Sequence, residues 1–401
     1  MSQRIRAAAQ KEIDWVQFIR LALRHDLLPL TYWNLHRDCP NIVPSGVLEP
    51  LRVRHEAQAA EGRLLAEEMV GILALLDSQG IPAVPYKGPA LAVRLYGDLS
   101  LRGFGDLDIV ICERDALRAR SLIIDRGYAP ERVEIGDLNQ FLRENHEMLF
   151  YRADGKARLD LHWRYTSRSA CLAGDPERFL QRLETISIAG VEVPSLRLET
   201  YLLVLSMHAA KHQWVQLKLI CDIAEILEVP DLDWQYVLHE ADDLGLKRAL
   251  GTGLLLAQGL LGAAVPPKLA QDLKIDRTAK ALAAQACTRI FEEPGERWGL
   301  QGGIASQLEI RERFRDRTKI CLRYFLHKLR PNERDRWFLP MPRFLSVAYY
   351  VVRPVRLALE RIRSAHRTKG LLPAGDGQID RTSRIAENSN GNRVGSMEQS
   401  G

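Results

Sequence analysis

The chain has 401 residues, of which 46% are hydrophobic and 27% charged, and its formal net charge is +5. These values are ordinary for a soluble globular protein with two or three domains. The six cysteines are scattered and form no C-x-x-C pair, which argues against a zinc site and indicates buried thiols in a reducing cytoplasm. The N-terminal residues lack the long apolar core of a signal peptide.

The positive charge is concentrated near the C-terminus. Residues 311–370 contain seventeen Lys or Arg and five Asp or Glu, so the rest of the chain is net negative. A nucleic-acid polymerase needs a basic groove with interleaved aromatic residues beside its reactive carboxylates, and none is visible. Nucleic acid is therefore not an expected partner.

The first part of the chain reads as helical. Apolar residues recur at helical spacing from about residue 10, and a longer helix is predicted from about Leu51 to Ser78. No residue stands at metal-ligand spacing from the histidines of this region, which indicates structural or surface roles for His25, His36 and His55.

The stretch from residue 84 to 111 organises the rest of the sequence. A short apolar run leads to the turn-like pair Lys87-Gly88 and then to Pro89, a residue favoured in the first turn of a helix. A helix is predicted over residues 89–96, with Gly97 as its stop. The free N–H groups at its start would point towards Lys87 and Gly88, an arrangement that suits phosphate binding.

Two aspartates follow at strand spacing. Asp106 and Asp108 lead into an apolar run and would share one face of a strand, with Leu107 turned into the core. Paired carboxylates repel each other unless a cation lies between them, and magnesium prefers such oxygen ligands. The pattern favours metal-assisted phosphoryl or nucleotidyl transfer. The alternative is an exposed strand-entry loop that binds nothing.

Three segments carry a family resemblance: KGPALAVRLYGDLSLRGFGDLDIVI at residues 87–111, LDLHW at 159–163, and HAAKHQWVQLKLICDI at 208–223. The chain resembles the bacterial uncharacterised nucleotidyltransferases of the DNA polymerase beta-like superfamily, loosely over residues 10–355. Superfamily members usually carry Gly-Ser where this chain has Lys87-Gly88. The resemblance implies an α+β fold: a small mixed-sheet nucleotidyltransferase core between an N-terminal helical segment and a C-terminal helical domain.

A third carboxylate comes from a predicted hairpin. Two strand patterns flank Asp154-Gly155, and Asp160 and His162 share one face of the second strand. Asp160 is either part of a solvated strand face or the third metal ligand. In the second case Asp106, Asp108 and Asp160 are the catalytic, metal-binding residues for two magnesium ions, with manganese as an alternative.

Basic residues near these carboxylates are candidates for substrate binding. Lys87, Gly88 and Arg102 would contact the triphosphate, Lys87 as a point charge and Arg102 through its planar fork. Both cations could instead be ordinary surface residues.

A later segment, LETYLLVLSMHAAKHQWVQLKLICDIAEILE, is apolar on most faces and predicts buried helices. His208 and His212 lie four residues apart with Lys211 between them. Metal binding, core packing and substrate contact are the three interpretations, and the resemblance favours contact of His208, Lys211 and His212 with the nucleotide or acceptor. Lys218 and Asp222 have the spacing of a helix-surface ion pair.

Five segments follow from these patterns: residues 1–79, helical; 80–195, the nucleotidyltransferase core; 196–330, the helical domain; 331–370, a basic aromatic segment; and 371–401, a disordered tail. The longest uncharged apolar run in 331–370 has nine residues and is too short to span a bilayer. This segment either packs on the body, lies on an anionic membrane surface, or meets an acidic partner.

The sequence therefore predicts a magnesium-dependent enzyme that transfers a nucleoside monophosphate from an NTP, with ATP the expected donor, and releases pyrophosphate. The acceptor is a hydroxyl group of a small molecule, a glycan or a protein. The alternative is a non-catalytic nucleotide-binding or membrane-surface protein that keeps the same fold. The expected location is the cytoplasm, either free or peripheral at the inner membrane surface.

Overall fold

The computed structural model describes residues 2–132, 137–165, 176–292 and 304–329, together with 339, 348–350 and 352–356. The chain divides into two compact units, residues 1–326 and 327–401. Most of the basic aromatic segment and all of the predicted disordered tail lie outside the described residues.

Four helices open the first unit. The fourth is 34 residues long and starts at Ser45, earlier than predicted, with Pro50 in its second turn. Asp14 caps the second helix by accepting a hydrogen bond from the Gln17 N–H at 3.0 Å. The four helices are α1 (Ser2–Ala9), α2 (Trp15–Arg24), α3 (Leu28–Asp38) and α4 (Ser45–Ser78).

A five-stranded sheet follows, interleaved with three helices. Its strand order is β1-β2-β5-β4-β3; β2 and β5 are parallel and the other neighbours are antiparallel. This mixed sheet with flanking helices confirms the predicted α+β fold class. The elements are β1 (Ala83–Pro85), α5 (Gly88–Tyr96), β2 (Leu107–Ile111), α6 (Ala116–Asp125), β3 (Tyr128–Pro130), α7 (Leu138–Glu144), β4 (Glu147–Arg152) and β5 (Arg158–His162).

The two faces of the central strands have different neighbours. Leu107, Ile109 and Ile111 are fully buried in one core together with apolar residues of α4 and α6. Because side chains alternate along a strand, the residues between them face the other way. Val110 accordingly belongs to a second core, which is built mainly by the later helices. The polar residues of β2 and β5 share this second face.

A short helix and a second, two-stranded sheet complete the core of the fold, and the sheet was not predicted from the sequence. They are α8 (Pro176–Leu180), β6 (Leu183–Ile188) and β7 (Val191–Leu196). The two strands pair antiparallel around Ala189 and Gly190, which both have positive φ (51° and 78°). Consecutive positive φ values fit a tight hairpin turn, and alanine at the first position hides the turn signal that Asn-Gly or Asp-Gly would give.

The remaining elements are helical. Twelve of the fourteen residues of the first of these helices are buried, which confirms the prediction of a buried helical region. The helices are α9 (Leu198–Lys211), α10 (Leu217–Leu227), α11 (Trp234–Leu244), α12 (Lys247–Leu256), α13 (Pro267–Asp272), α14 (Arg277–Phe291), α15 (Ile304–Ile310) and α16 (Phe314–Leu329). Within the described part of the chain, no helix has both the length and the apolarity needed to cross a membrane.

His25 joins the N-terminal helices to the later ones. Its side chain is buried; Nε2 lies 2.9 Å from the Ile290 carbonyl oxygen, and Nδ1 accepts from the Leu217 N–H at 3.3 Å. The neutral Nε2–H tautomer satisfies both contacts, whereas a proton on Nδ1 would oppose the Leu217 N–H. Burial lowers the pKa of His25, although its bond to Ile290 acts in the opposite direction.

We expect this histidine to make the fold sensitive to acid. Because its folded pKa is lowered, the unfolded chain binds a proton first, so stability is lost as pH falls below about 6.5. Between about pH 7.5 and about pH 5 the Tm of wild type should fall by several degrees more than that of His25→Gln. His239→Gln removes an exposed imidazole from α11 and serves as the control. An equal fall in Tm for wild type and His25→Gln would contradict this assignment.

Candidate active site

The site begins where β1 ends. Gly88 opens α5 with a φ of +56°, and a Cβ atom added there would lie 2.9 Å from the carbonyl oxygen of Asp106. Glycine is therefore required both by the backbone conformation and by the close approach of the two segments. Helix α5 ends as predicted, at Tyr96, with Gly97 as its left-handed cap.

The three predicted carboxylates lie on one face of two neighbouring strands. Asp108 stands directly opposite Asp160 in the parallel register of β2 and β5. Asp106 precedes β2 by one residue and therefore shares the face of Asp108, as the sequence predicted. The structure thus brings Asp106, Asp108 and Asp160 together, while Leu107 is fully buried on the opposite face.

Two basic side chains neutralise this cluster. Lys87 donates from Nζ to Oδ1 of Asp108 at 2.9 Å. Arg158 donates from Nε and Nη2 to the two carboxylate oxygens of Asp160, at 2.9 and 2.7 Å. The same Nη2 lies 3.7 Å from Oδ2 of Asp106. Lys87 was a predicted site residue, whereas Arg158 was not.

His162 extends the cluster towards β4. Its Nε2 lies 3.1 Å from Oδ1 of Asp108 and 3.2 Å from the Tyr86 hydroxyl. Its Nδ1 lies 3.2 Å from Oε2 of Glu147, and Nε2 of His146 lies 3.4 Å from the same oxygen. A carboxylate, two imidazoles and a phenol thus continue the polar face.

Strand alternation placed His162 on the face of Asp160 without indicating a role for it, and Glu147 was not predicted as a site residue. The signal for Glu147 was present. A hairpin folded about Asp154-Gly155 places Glu147 opposite His162, and the structure has this register.

Electrostatics separate the three aspartates. Burial and then repulsion from Asp108 raise the pKa of Asp106. Burial also raises the pKa of Asp160, although the hydrogen bonds from Arg158 act in the opposite direction. Burial opposes ionisation of Asp108 too, but Lys87 and His162 outweigh it and hold the pKa of Asp108 far below its ordinary value. Asp108 is thus the fixed negative charge of the cluster.

The donor atoms fit a divalent ion. Oxygens of Asp108 and Asp160 and a ring nitrogen of His162 all lie within 4.8 Å of one another, and all three residues are buried. Carboxylate oxygens suit magnesium or manganese, and an imidazole suits manganese better than magnesium. This donor set among the described residues differs from the predicted one. It contains His162, whereas the predicted ligand Asp106 lies further along the same face.

The end of α9 reaches the same region. The rings of His208 and His212 have centroids 4.7 Å apart. Burial, and then the charge of Lys87, lower the pKa of His208 well below its ordinary value. Burial, followed by Lys211 and Lys87, lowers the pKa of His212 to about 4. Both imidazoles are therefore neutral near pH 7. The positive charge of Lys87, which pairs with Asp108, contributes to the lowered pKa of each.

Lys211 acts on the β4 side of the site. Burial opposes ionisation of Glu147, but His162, His146 and then Lys211 outweigh it and lower the pKa of Glu147. Burial lowers the pKa of His146 to about 4, against the attraction of Glu147. The predicted substrate-binding residues at the end of α9 therefore lie within electrostatic reach of the carboxylate cluster.

Arg102 has a different partner. Its side chain is buried and donates from Nε and Nη2 to the two oxygens of Asp222, both at 2.9 Å. The Tyr96 hydroxyl donates to the same carboxylate at 3.0 Å. The fork that was predicted to bind a triphosphate is thus occupied by Asp222, and phosphate binding by Arg102 stays a prediction. Lys218 pairs with Asp26 in place of Asp222.

Comparison with known proteins identifies the family of the chain. A family described as "Uncharacterised nucleotidyltransferase" matches residues 11–262, more than half of the chain. The chain therefore belongs to this nucleotidyltransferase family, as the sequence resemblance implied.

One solved structure that it resembles is an antigenic nucleotidyltransferase-like protein from Paracoccidioides brasiliensis. The two chains are 20% identical; the match covers 55% of this chain and 95% of the other, with a TM-score of 0.31. No functionally curated protein matches the sequence.

Proposed function

We propose that the protein is a divalent-metal-dependent nucleotidyltransferase that moves a nucleoside monophosphate from an NTP to a hydroxyl acceptor and releases pyrophosphate. The observation that carries this proposal is the carboxylate cluster. Asp108 and Asp160 stand in register on adjacent parallel strands, Asp106 shares their face, and the glycine-opened turn before α5 lies directly against Asp106.

Asp106, Asp108 and Asp160 would hold the metal, which we take to be two magnesium ions with manganese as an alternative. Bound there, such ions lower the pKa of an acceptor hydroxyl and offset charge on the transferred phosphoryl group. Asp108 supplies the permanent charge, because its pKa lies far below neutrality. His162 lies 3.1 Å from Asp108 and its ring nitrogen belongs to the same close donor set, so it would lie beside the metal.

The triphosphate would bind at the start of α5. The free N–H groups of the first helical turn favour an anion, and Gly88 supplies the positive φ that brings this turn against Asp106. Lys87 would turn from Asp108 towards the phosphates, a small movement for a flexible ammonium group. His208, Lys211 and His212 would contact the nucleotide or acceptor from the end of α9.

The proposal also covers the nucleotide donor, the acceptor and the location of the protein. ATP is the proposed donor, and the acceptor belongs to one of three classes: a small molecule, a glycan or a protein side chain. We propose a cytoplasmic location, with residues 331–370 as the contact to an acidic partner or to the inner membrane surface. The segment's excess of Lys and Arg supports this last step.

Label transfer tests the function directly. Wild type is incubated with α-labelled ATP, GTP, CTP or UTP, magnesium and host-cell extract, and compared with an Asp106→Ala/Asp108→Ala variant. We expect pyrophosphate release and label on one acceptor class with wild type only, because the variant loses two of the three carboxylates.

A folded wild-type protein that binds an NTP but transfers no label would contradict the enzyme and favour a non-catalytic nucleotide-binding protein. The ion pairs of Lys87 and Arg158 give that alternative a physical basis, since they neutralise two of the carboxylates from within the chain.

A further inference from the structure

Arg158 lies on the carboxylate face without a role in the function proposed above. It begins β5, and the parallel register that pairs Leu107 with Leu159 places Arg158 beside Asp106. Its guanidinium makes two hydrogen bonds to Asp160 and lies 3.7 Å from Asp106. Arg158 therefore spans the two outer carboxylates, while Lys87 holds the central one.

The two partners differ in their freedom to move. The side chain of Arg158 is 42% exposed, whereas that of Asp160 is only 8% exposed. A half-exposed arginine can swing into solvent on its flexible stem, but the buried aspartate is fixed by its strand. Arg102 shows the contrast, because its guanidinium is buried against Asp222.

A metal ion and Arg158 compete for the same atoms. Both oxygens of Asp160 already accept hydrogen bonds from Arg158, and a divalent ion held by Asp160 would use these oxygens. The guanidinium plane also matches a phosphate group as well as it matches a carboxylate. Displacement by a cation would therefore release a group that is suited to the anionic substrate.

We propose, building on the nucleotidyltransferase function above, that Arg158 is a counter-ion that a divalent ion displaces from Asp160, and that its released guanidinium binds the triphosphate. The positive charge of two divalent ions roughly equals the negative charge of a triphosphate. The exchange therefore leaves the net charge of the cluster nearly unchanged. Metal and nucleotide then bind cooperatively, because each stabilises the arrangement that the other needs.

Direct binding measurements test the exchange without relying on turnover. Mn²⁺ binding is followed by calorimetry and electron paramagnetic resonance in the absence of nucleotide, and binding of an ATP analogue with a methylene group between the α- and β-phosphates is then measured in saturating Mn²⁺. Arg158→Gln should bind Mn²⁺ about tenfold more tightly than wild type, since no internal cation competes, and the analogue about tenfold more weakly. Arg158→Lys keeps the positive charge but loses the planar guanidinium. Its affinities for Mn²⁺ and for the analogue should lie between those of wild type and Arg158→Gln.

Arg152→Gln is the matched control. Arg152 lies on the neighbouring strand β4 and pairs with Asp154 and Glu68, away from the carboxylate cluster. Its loss should change neither affinity by more than about twofold. Thermal melts establish that each variant is folded.

Unchanged or weaker Mn²⁺ binding by folded Arg158→Gln and Arg158→Lys would overturn the proposal, because Arg158 would then only orient Asp160. Unchanged binding of the analogue would overturn the phosphate contact. A wild-type protein that shows the expected binding pattern but transfers no label would refute the proposed function and leave the exchange standing.

Discussion

Replacement of Asp160 by asparagine should abolish nucleotidyl transfer without weakening the fold. The amide would keep the shape of the side chain but lose the charge needed to hold a metal ion beside Asp108, and we expect turnover to fall about a thousandfold. Burial raises the pKa of Asp160, although the hydrogen bonds from Arg158 act in the opposite direction, so the ionised form is less favourable in the folded protein than in the unfolded chain. Neutralisation should therefore leave the Tm unchanged or raise it.

Asp154→Asn is the control for this variant. Asp154 lies in the turn before β5, pairs with Arg152 and accepts from the Lys156 N–H at 3.0 Å. These bonds lower the pKa of Asp154, so its neutralisation should cost some stability and leave turnover intact. Label transfer and thermal melts measure both effects. Normal turnover by Asp160→Asn would contradict the proposal that Asp160 is a metal ligand.

A second large effect is expected at the buried ion pair between α10 and the loop after α5. Asp222→Ala would leave the buried Arg102 guanidinium and the partly buried Tyr96 hydroxyl without their acceptor. Breaking one side of such a pair costs about 3–5 kcal/mol, which unfolds many domains of moderate stability. Urea unfolding monitored by circular dichroism measures this loss.

The double variant Arg102→Met/Asp222→Leu should recover most of that stability, because both charges are removed together. Recovery of stability would show that the loss in Asp222→Ala comes from the unpaired Arg102 charge. The affinity of the double variant for an NTP then tests the predicted phosphate contact of Arg102: about tenfold weaker binding in a folded protein supports it, and wild-type binding contradicts it. No recovery would show that the cost at Asp222 does not come from the unpaired charge.

Strong local patterns made the core of the fold readable from sequence. The helix that ends at Tyr96 before Gly97, the strand after Asp106 and the hairpin around Asp154-Gly155 all have short-range signals, and the structure contains each of them. The β6–β7 hairpin escaped prediction because Ala189 occupies a position with positive φ that usually takes Gly, Asn or Asp.

The candidate site was only partly readable, because its ion pairs join distant parts of the chain. Spacing placed Asp106 and Asp108 on one strand face, and Asp160 on a later strand was predicted as a candidate third carboxylate. The partner of Arg102 could not be read, since Asp222 lies 120 residues further on. The local interpretation paired Asp222 with Lys218 at helical spacing, but the tertiary fold gave each a different partner. Proximity in sequence is therefore weak evidence for an ion pair when the charged side chains are buried by the tertiary fold.

The close approach of Gly88 to Asp106 also bears on how this protein tolerates sequence change. Any residue with a side chain at position 88 would need a φ of +56° and would place a Cβ atom 2.9 Å from a backbone oxygen. This oxygen is the backbone carbonyl of Asp106. A Cβ atom at position 88 would therefore push the backbone of Asp106 away and displace its carboxylate. A saturation library should therefore lose every substitution at this position. At the neighbouring Lys87 a substitution should cost both activity and the stability that its ion pair with the buried Asp108 provides.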